Sequence, residues 1–283
     1  MKLFEGWLIA ADVDGTLMTN GVIPQRNIEK IEWFLSEGGF FSLSTGRTPG
    51  AVGDIREKIK NISPSIMGNG AMIYDFEKDE LVYNRCLPQE DKIVIKTIYD
   101  ECSDLGMEIH SGVNVLVPRR SEETDIHESY ESLEVSNPSM EKAMEYPWTK
   151  VLVALKDEND ALRVKEIVSR FELKSRFLNT TARIDGKDYH YLEQVCEGTS
   201  KASALKELCK ILNIKNGRCC AIGDYYNDFE MLLSADISAS PLDAPDDIKE
   251  KVNFICSKAE YGAVADFIDY IQEAIRKETK NGR

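Results

Sequence analysis

The sequence predicts an α/β protein with a Rossmann-like parallel-sheet core and an inserted α+β cap. At both ends of the chain, apolar runs of strand length alternate with segments of helical periodicity, which is typical of βαβ units and a parallel sheet. From about residue 81 to residue 194 the segments are more polar and less regular. We therefore predict a core domain from residues 1–80 and 195–283 and a cap domain over residues 81–194.

Six apolar runs are predicted to form the core strands. They lie near residues 7–12, 39–44, 64–67, 218–222, 235–238 and 253–256. Between them, apolar residues recur at one-turn spacing near residues 28–35, 205–212 and 264–275, which predicts three helices. Ser200 is the expected N-cap of the second helix. In a parallel sheet of this kind, ligands bind outside the carboxyl ends of the strands.

The cap is predicted to have a sheet of its own. Strands are expected near residues 81–88, 112–120, 149–155, 175–184 and 188–195, with helices near 88–105 and 158–171. The acidic stretch at 121–134 is expected to be a solvated loop or helix face. The three histidines of the chain, His110, His127 and His190, all lie in the cap, and we expect them at its surface.

Charge and composition exclude several functions. The formal net charge of −14 argues against binding nucleic acid, which depends on Lys and Arg contacts to phosphates, and against docking on anionic membranes. The seven cysteines form no C-x-x-C pair, which fits reduced thiols. No run approaches the ~20 apolar residues that span a bilayer, and the N-terminal stretch is too short for a secretory signal. We expect a cytoplasmic monomer or homodimer.

The stretch ADVDGTLMTN at residues 11–20 ends a predicted strand with two aspartates, Asp12 and Asp14. The simplest interpretation is a strand followed by an Asp-Gly turn, which is a frequent pairing. Other predicted strands, however, also end in polar residues. These are Ser44, Thr45, Gly46 and Arg47 after the second strand, Asn69 and Gly70 after the third, and Asp224, Asn227 and Asp228 after the fourth, with Lys201 at the start of the preceding helix.

Parallel strand ends meet at one edge of a sheet, so Asp12, Asp14, Asp224 and Asp228 are predicted to share a small volume. Such a cluster is costly unless a cation lies within it. Oxygen ligands favour a hard ion, and Mg²⁺ is typically held by carboxylates, waters and substrate phosphate oxygens. The sequence therefore predicts a Mg²⁺ site.

The remaining residues at this edge suit a phosphate. Thr45 offers a hydroxyl group, Gly46 allows close backbone approach, and Lys201 supplies a positive charge. A carboxylate can attack phosphorus and form an aspartyl-phosphate, and a second carboxyl group can serve as acid and then base. Asp12, nearest the strand, is the better candidate nucleophile, and Asp14, in the following loop, is the better acid/base.

These motifs resemble those of the haloacid dehalogenase superfamily, specifically its Cof-type sugar-phosphatase-like hydrolases. The resemblance rests on Asp-x-Asp-Gly-Thr-Leu at 12–17, Ser-Thr-Gly-Arg at 44–47, Lys201 and Gly-Asp-x-x-Asn-Asp at 223–228, with Asn-Gly at 69–70. It covers about residues 1–80 and 195–275, and the cap only by position and approximate length.

The resemblance implies a phosphatase with an aspartyl-phosphate intermediate. Asp12 and Asp14 would take the roles given above, and Asn227 would brace the phosphate beside Thr45 and Lys201. Mg²⁺ would be held by the Asp12 side chain, the Asp14 carbonyl group and Asp224, with Asp228 close by. The cap would select the substrate, a small phosphorylated metabolite with sugar phosphates as the default. Candidate substrate contacts are Arg47, Asn69 and Arg183.

One departure concerns the loop after the fifth strand, where the family often has Asn-Ala and this chain has Asp243-Ala244. Asp243 could lie near the metal or be a solvated turn acid. Two other functions remain open from the sequence. One is a phosphotransferase or phosphomutase that passes the phosphoryl group to another hydroxyl group. The other is a ligand-binding regulatory protein on a phosphatase scaffold.

Overall fold

The chain forms two compact units, made of Met1–Gly46, Val52–Tyr83 and Ser200–Arg283, and of Arg47–Ala51 and Asn84–Thr199. The computed structural model describes residues 2–131, 133–184, 186–215 and 217–281, with the backbone alone at 183 and 278–281. Across these ranges, no helix is both long enough and apolar enough to cross a membrane.

The first unit contains eight strands and six α-helices among the described residues. The strands are β1 (Leu8–Ala11), β2 (Phe40–Leu43), β3 (Ser65–Met67), β4 (Met72–Asp75), β5 (Glu80–Asn84, whose last residue belongs to the second unit), β12 (Cys219–Ile222), β13 (Ile237–Ser240) and β14 (Phe254–Ile255). The helices are α1 (Gln25–Ser36), α2 (Gly53–Lys58), α7 (Lys201–Ile211), α8 (Phe229–Ser234), α9 (Asp246–Lys249) and α10 (Ala263–Asn281).

Five of these strands form a parallel sheet in the order β14-β13-β12-β1-β2. Strand β1 lies between β12 and β2 and is fully buried, so its side chains alternate between two apolar layers. Ile9 packs in a layer with α1 and α10, whereas Leu8 packs in the opposite layer with α7 and α8. Helices therefore cover both faces of the sheet, as the alternation of strands and helices in the sequence predicts, and the fold class is confirmed.

The third predicted strand takes a different course. Strand β3 belongs to a separate sheet in the order β3-β4-β5, in which β3 and β4 are antiparallel. It meets the parallel sheet through one isolated bridge between Ser44 and Ile66. The sequence analysis missed β4 because its four residues follow β3 after one short turn and give too little periodicity to separate.

The second unit is an α+β unit with a six-stranded sheet in the order β10-β11-β9-β6-β7-β8. Its neighbouring strands are antiparallel except for the parallel pair of β7 and β8. The strands are β6 (Met107–Ser111), β7 (Asn114–Arg119), β8 (Val135–Ser136), β9 (Lys150–Leu155), β10 (Ser175–Ile184) and β11 (Lys187–Cys196). The helices are α3 (Lys92–Glu101), α4 (Glu122–Glu131), α5 (Met140–Ala143) and α6 (Glu158–Val168).

One face of this sheet packs against α3 and α6 through an apolar layer that includes Ile109 and Val153. The other face carries Glu108 and His110, and α4 contributes His127 to the same polar cluster. Residues Glu122–Glu131 of the acidic stretch thus form a helix with one buried side. The expectation that the histidines lie at the surface is wrong for His110 and His127, which are 3% and 6% exposed, because Glu108 gives both of them a buried hydrogen-bond partner. His190 is exposed as expected.

Candidate active site

The carboxyl edge of the parallel sheet carries the polar residues that the motifs predicted. Asp12 directly follows β1, and its backbone N–H donates to the carbonyl oxygen of Ile222, the last residue of β12. The same pair of strands therefore delivers Asp12 and the loop that carries Asp224 and Asp228 to one place. Asp12 is 6% exposed and Asp228 is fully buried.

Three carboxylates meet at this edge. Asp12, Asp224 and Asp228 each offer an oxygen atom, and these oxygens all lie within 4.8 Å of one another. The structure brings together three of the four aspartates that were predicted to share a small volume. The exception is Asp14. The Asp14 side chain is exposed in the loop after β1 and is not part of this group.

Lys201 lies among the carboxylates. Its Nζ atom is 2.6 Å from Oδ1 of Asp12 and 2.6 Å from Oδ1 of Asp228, and the residue is 1% exposed. Lys201 is the first residue of α7, whose start is defined by a capping box in which the Ser200 and Ser203 side chains bond each other's backbone N–H. The predicted N-cap is therefore confirmed, and it aims the lysine at the carboxylates.

The loop after β12 orients the other two acids. Oδ2 of Asp228 accepts hydrogen bonds from the backbone N–H groups of Asp224 and Tyr225, both at 3.2 Å. The Thr16 hydroxyl group donates to Oδ1 of Asp224 at 3.1 Å. The sequence analysis missed Thr16, although its place directly after Asp14-Gly15 was a signal. Because the residue is fully buried, its hydroxyl group holds the Asp224 side chain in position.

Charge in the cluster fits a divalent cation. Three carboxylates and one ammonium group carry a net charge of −2 when all are ionised. Burial raises the pKa of Asp12 well above its ordinary value, and the charges of Asp228 and Asp224 add to this against the opposing charge of Lys201. Burial and Asp228 also raise the pKa of Asp224. An all-oxygen donor set with this excess of negative charge suits a hard divalent cation.

Two glycines allow the backbone to approach these groups. Gly15 has a φ of +83°, and a Cβ atom there would collide with the Asp224 carboxylate. Gly70 has a φ of +97°, and its Cβ atom would collide with the backbone of Ser200 and Lys201. Only glycine meets both demands without strain, so Gly70 lets the turn after β3 support the start of α7.

The predicted phosphate-side residues lie on neighbouring loops of the same unit. The Thr45 N–H donates to the Ile66 carbonyl oxygen at 3.0 Å, and the Asn69 N–H donates to the Thr45 carbonyl oxygen at 2.9 Å. A Cβ atom at Gly46 would lie 3.0 Å from Nδ2 of Asn69. Nδ2 of Asn227 lies 3.4 Å from Oδ1 of Asn69. These contacts connect the second motif, the Asn-Gly stretch at residues 69–70 and the fourth motif.

Three predicted residues remain to be placed, Asp243, Arg47 and Arg183. Asp243 is exposed and is not among the described acids close enough to share an ion, which favours the solvated turn acid. Arg47 belongs to the second unit, where its guanidinium group donates to the carbonyl oxygen of Ala51 at 3.2 Å. Arg183 lies on β10, and its side chain falls outside the described residues.

This protein has a doubly wound α/β core with buried acids and a lysine at its carboxyl edge. Such a site suits an enzyme that transfers an anionic group. A family model described as haloacid dehalogenase-like hydrolase matches residues 9–268. The chain therefore belongs to the haloacid dehalogenase-like hydrolase family, and the resemblance drawn from the motifs is confirmed.

Relatives and solved structures agree with this assignment. The chain is 25% identical to 5-amino-6-(5-phospho-D-ribitylamino)uracil phosphatase YwtE of Bacillus subtilis, over 93% of this chain and 97% of the relative. TM0651 from Thermotoga maritima has a similar fold, with a TM-score of 0.79 at 20% identity over 93% of this chain and 97% of TM0651. The sugar phosphatase BT4131, of subclass IIB, has a TM-score of 0.73 at 19% identity over 94% of this chain and 98% of BT4131.

Proposed function

We propose that this protein is a Mg²⁺-dependent phosphatase that hydrolyses a small phosphorylated metabolite, with sugar phosphates as the substrate class, through an aspartyl-phosphate intermediate on Asp12. That the enzyme is a phosphoric monoester hydrolase follows from its family together with its phosphatase relatives. The observation that carries the more detailed proposal is the contact of Lys201 with both Asp12 and Asp228, beside Asp224.

Asp12 is the proposed nucleophile because it is held at the end of a buried strand and next to a fixed positive charge. Its carboxylate would attack phosphorus, and the bond from phosphorus to the leaving oxygen would break. Lys201 would balance the charge of the incoming phosphoryl group. Thr45, Gly46 and Asn227 would bind the phosphoryl oxygens from the loops beside Asp12.

Asp14 is the proposed general acid and base. Its side chain is exposed in the loop after β1, where it could reach a bound substrate and protonate the leaving oxygen. Asp14 would then take a proton from the water that attacks the aspartyl-phosphate. This second step releases phosphate and restores the carboxylate of Asp12.

The proposed metal ligands are the side chains of Asp12 and Asp224 and the carbonyl group of Asp14, with Asp228 close by. When bound, Mg²⁺ would offset the carboxylate charge and stabilise negative charge on the phosphoryl oxygens. Both oxygens of Asp228 already accept hydrogen bonds from Lys201 or the backbone, so its main part would be to hold Lys201 and the loop in place.

We assign substrate selection to the second unit, the proposed cap. Arg47 belongs to that unit, and Arg183 lies on its longest hairpin; both are proposed substrate contacts, as is Asn69 in the core. The sugar-phosphate class is supported by relatives. YwtE is named for a phosphate carried on a ribityl group, and BT4131 is described as a sugar phosphatase.

Phosphate release from a panel of monoesters, with and without Mg²⁺, tests the proposal. The Asp12→Asn variant should lose turnover by on the order of 10⁴-fold, whereas Asp243→Asn, a matched change of an exposed acid, should keep it. With p-nitrophenyl phosphate, whose leaving group needs no acid, Asp14→Asn should accumulate phosphoprotein, because the step that needs a base is slowed. Full turnover by Asp12→Asn would exclude the covalent mechanism. Transfer of the phosphoryl group to an added acceptor, with no release of free phosphate, would indicate a transferase.

A further inference from the structure

Two cysteines of the first unit, one on a helix and one on a strand of the parallel sheet, lie in contact. Cys209 is in the last turns of α7, and Cys219 is the first residue of β12. Their sulfur atoms are 3.3 Å apart. A disulfide bond is about 2.05 Å long, so the two sulfurs need to approach each other by only about 1.2 Å.

The strand geometry selects Cys219 over its neighbour. Successive side chains of a strand point to opposite faces. Cys219 packs in the apolar layer that contains Leu205 and Leu208 of α7, whereas Cys220 packs in the opposite layer with α1 and α10. Cys209 therefore has one cysteine within reach, and Cys220 serves as an internal control.

The backbone at Cys219 is held in place. A carboxylate oxygen of Asp236 accepts hydrogen bonds from the N–H groups of Gly217 at 2.9 Å and Cys219 at 3.0 Å. On the side of Cys209, the Ile214 N–H donates a hydrogen bond to the Cys209 carbonyl oxygen at 2.8 Å, which fixes the chain where it leaves α7. The two thiols are thus positioned by the fold and do not depend on a chance encounter.

Cys209 is the better attacking thiol. It is half-buried, whereas Cys219 is 8% exposed, so an oxidant in solution reaches Cys209 first. The hydrogen bond with Cys219 lowers the pKa of Cys209 against the effects of burial and the charge of Asp236. The thiolate is the form of cysteine that reacts with oxidants.

We propose that Cys209 and Cys219 are a thiol oxidation site that forms a reversible intrachain disulfide with hydrogen peroxide. The Cys209 thiolate takes an oxygen atom from the peroxide, the O–O bond breaks, and hydroxide leaves. The Cys219 sulfur then attacks the sulfenic acid of Cys209, the S–O bond breaks, and water leaves with the Cys219 proton. In total, two thiols and one peroxide give one disulfide and two waters.

The bond would join the helix that begins at Lys201 to the strand that precedes Asp224. It lies at the opposite end of β12 from the carboxylates, about 16 Å of strand away from Asp224. At this distance the disulfide would leave the acid cluster unchanged. Its formation would protect Cys209 from irreversible oxidation.

Peptide mapping of the full-length protein tests this proposal. Reduced protein is treated with hydrogen peroxide, free thiols are blocked with N-ethylmaleimide, and a tryptic digest is analysed without reduction. We expect the peptide Glu207–Lys210 linked to the peptide Cys219–Lys249, with the loss of two hydrogen atoms, and its release by dithiothreitol. Because Cys219 and Cys220 share a peptide, variants assign the bond.

The Cys219→Ser variant should lose the linked species, and Cys220→Ser should form it as the wild-type protein does. A link that persists in Cys219→Ser would overturn the assignment to Cys219. Free Cys209, Cys209 oxidised to sulfinic acid, or Cys209 linked to another cysteine as the main product in the wild-type protein would overturn the proposal itself. None of these readouts depends on the proposed phosphatase activity.

Discussion

The Nζ atom of Lys201 lies 2.6 Å from Oδ1 of Asp12, across 189 positions of sequence. The same atom lies 2.6 Å from Asp228, so one buried ammonium group joins the first, third and fourth motifs. Burial disfavours the ammonium form, but the charges of Asp12 and Asp228 outweigh it and raise the pKa of Lys201. Lys201 is therefore part of the proposed site, and it also supplies the positive charge that the buried carboxylates of Asp12 and Asp228 require.

Replacing Lys201 with Met should lower the free energy of unfolding by about 3–5 kcal/mol, since removal of one partner leaves buried carboxylates uncompensated. Urea denaturation in the absence of divalent ions measures this. Lys210→Met, on the same helix, removes an exposed pair with Glu207 and should change stability by less than about 0.5 kcal/mol. Equal losses in the two variants would mean that the contacts of Lys201 do not stabilise the fold.

Mg²⁺ should raise the melting temperature of the wild-type protein, because an ion that binds only the folded state adds about 2.7 kcal/mol at a concentration of 100 times its Kd. The Asp224→Asn variant should lose this shift. Without Mg²⁺ it should be at least as stable as the wild type, since repulsion with Asp228 is removed. Thermal unfolding with and without Mg²⁺ tests both points, with Asp243→Asn as a control that keeps the shift.

Gly70→Ala should cost more stability than Gly21→Ala. Both glycines have a positive φ, but a Cβ atom at Gly21 meets nothing within 4 Å, whereas at Gly70 it collides with the backbone of Ser200 and Lys201. We expect about 1 kcal/mol at Gly21 from backbone strain and about 2–4 kcal/mol at Gly70 from strain and overpacking. Only Gly70→Ala should also reduce turnover by about tenfold or more, because it displaces Lys201.

The buried cluster around Glu108 should make the packing of α4 depend on pH. Burial alone lowers the pKa of His127, but the hydrogen bond and charge of Glu108, with the charge of Glu131, outweigh burial and the opposing Lys150 and raise it. A raised pKa means that the pair of His127 with Glu108 stabilises the fold fully below about pH 6.5. This contribution is lost as the pH rises through the folded-state pKa.

The protection of α4 amides against hydrogen exchange, corrected for the intrinsic pH dependence, measures this effect. His127→Gln should reduce protection more at pH 6 than at pH 9, by about 1–3 kcal/mol at the lower pH. His190→Gln, at an exposed position of the same unit, should leave protection unchanged at both. A loss that is larger at pH 9 would contradict the sign of this prediction.

Local patterns were enough to predict much of the fold. Ser200 predicted the start of α7, and the apolar runs predicted β1, β2 and β12, because the signals for these elements lie within each segment. The histidines show where such signals fail. Glu108 lies two positions before His110 on β6 but 19 positions before His127. Nothing in the sequence shows that α4 packs over this face of the strand and buries all three side chains.

The sequence by itself determined most strands and helices of the core and the residue types that follow the strands, because periodicity, caps and turn residues act over a few positions. It thereby also determined the family. Only the tertiary structure decided which polar residues share an environment. It brought Asp12, Asp224 and Asp228 together around Lys201, left Asp14 and Asp243 exposed, and placed Cys209 against Cys219. The physical reason is that the register of neighbouring strands and the packing of helices set the distances between side chains that are remote in sequence.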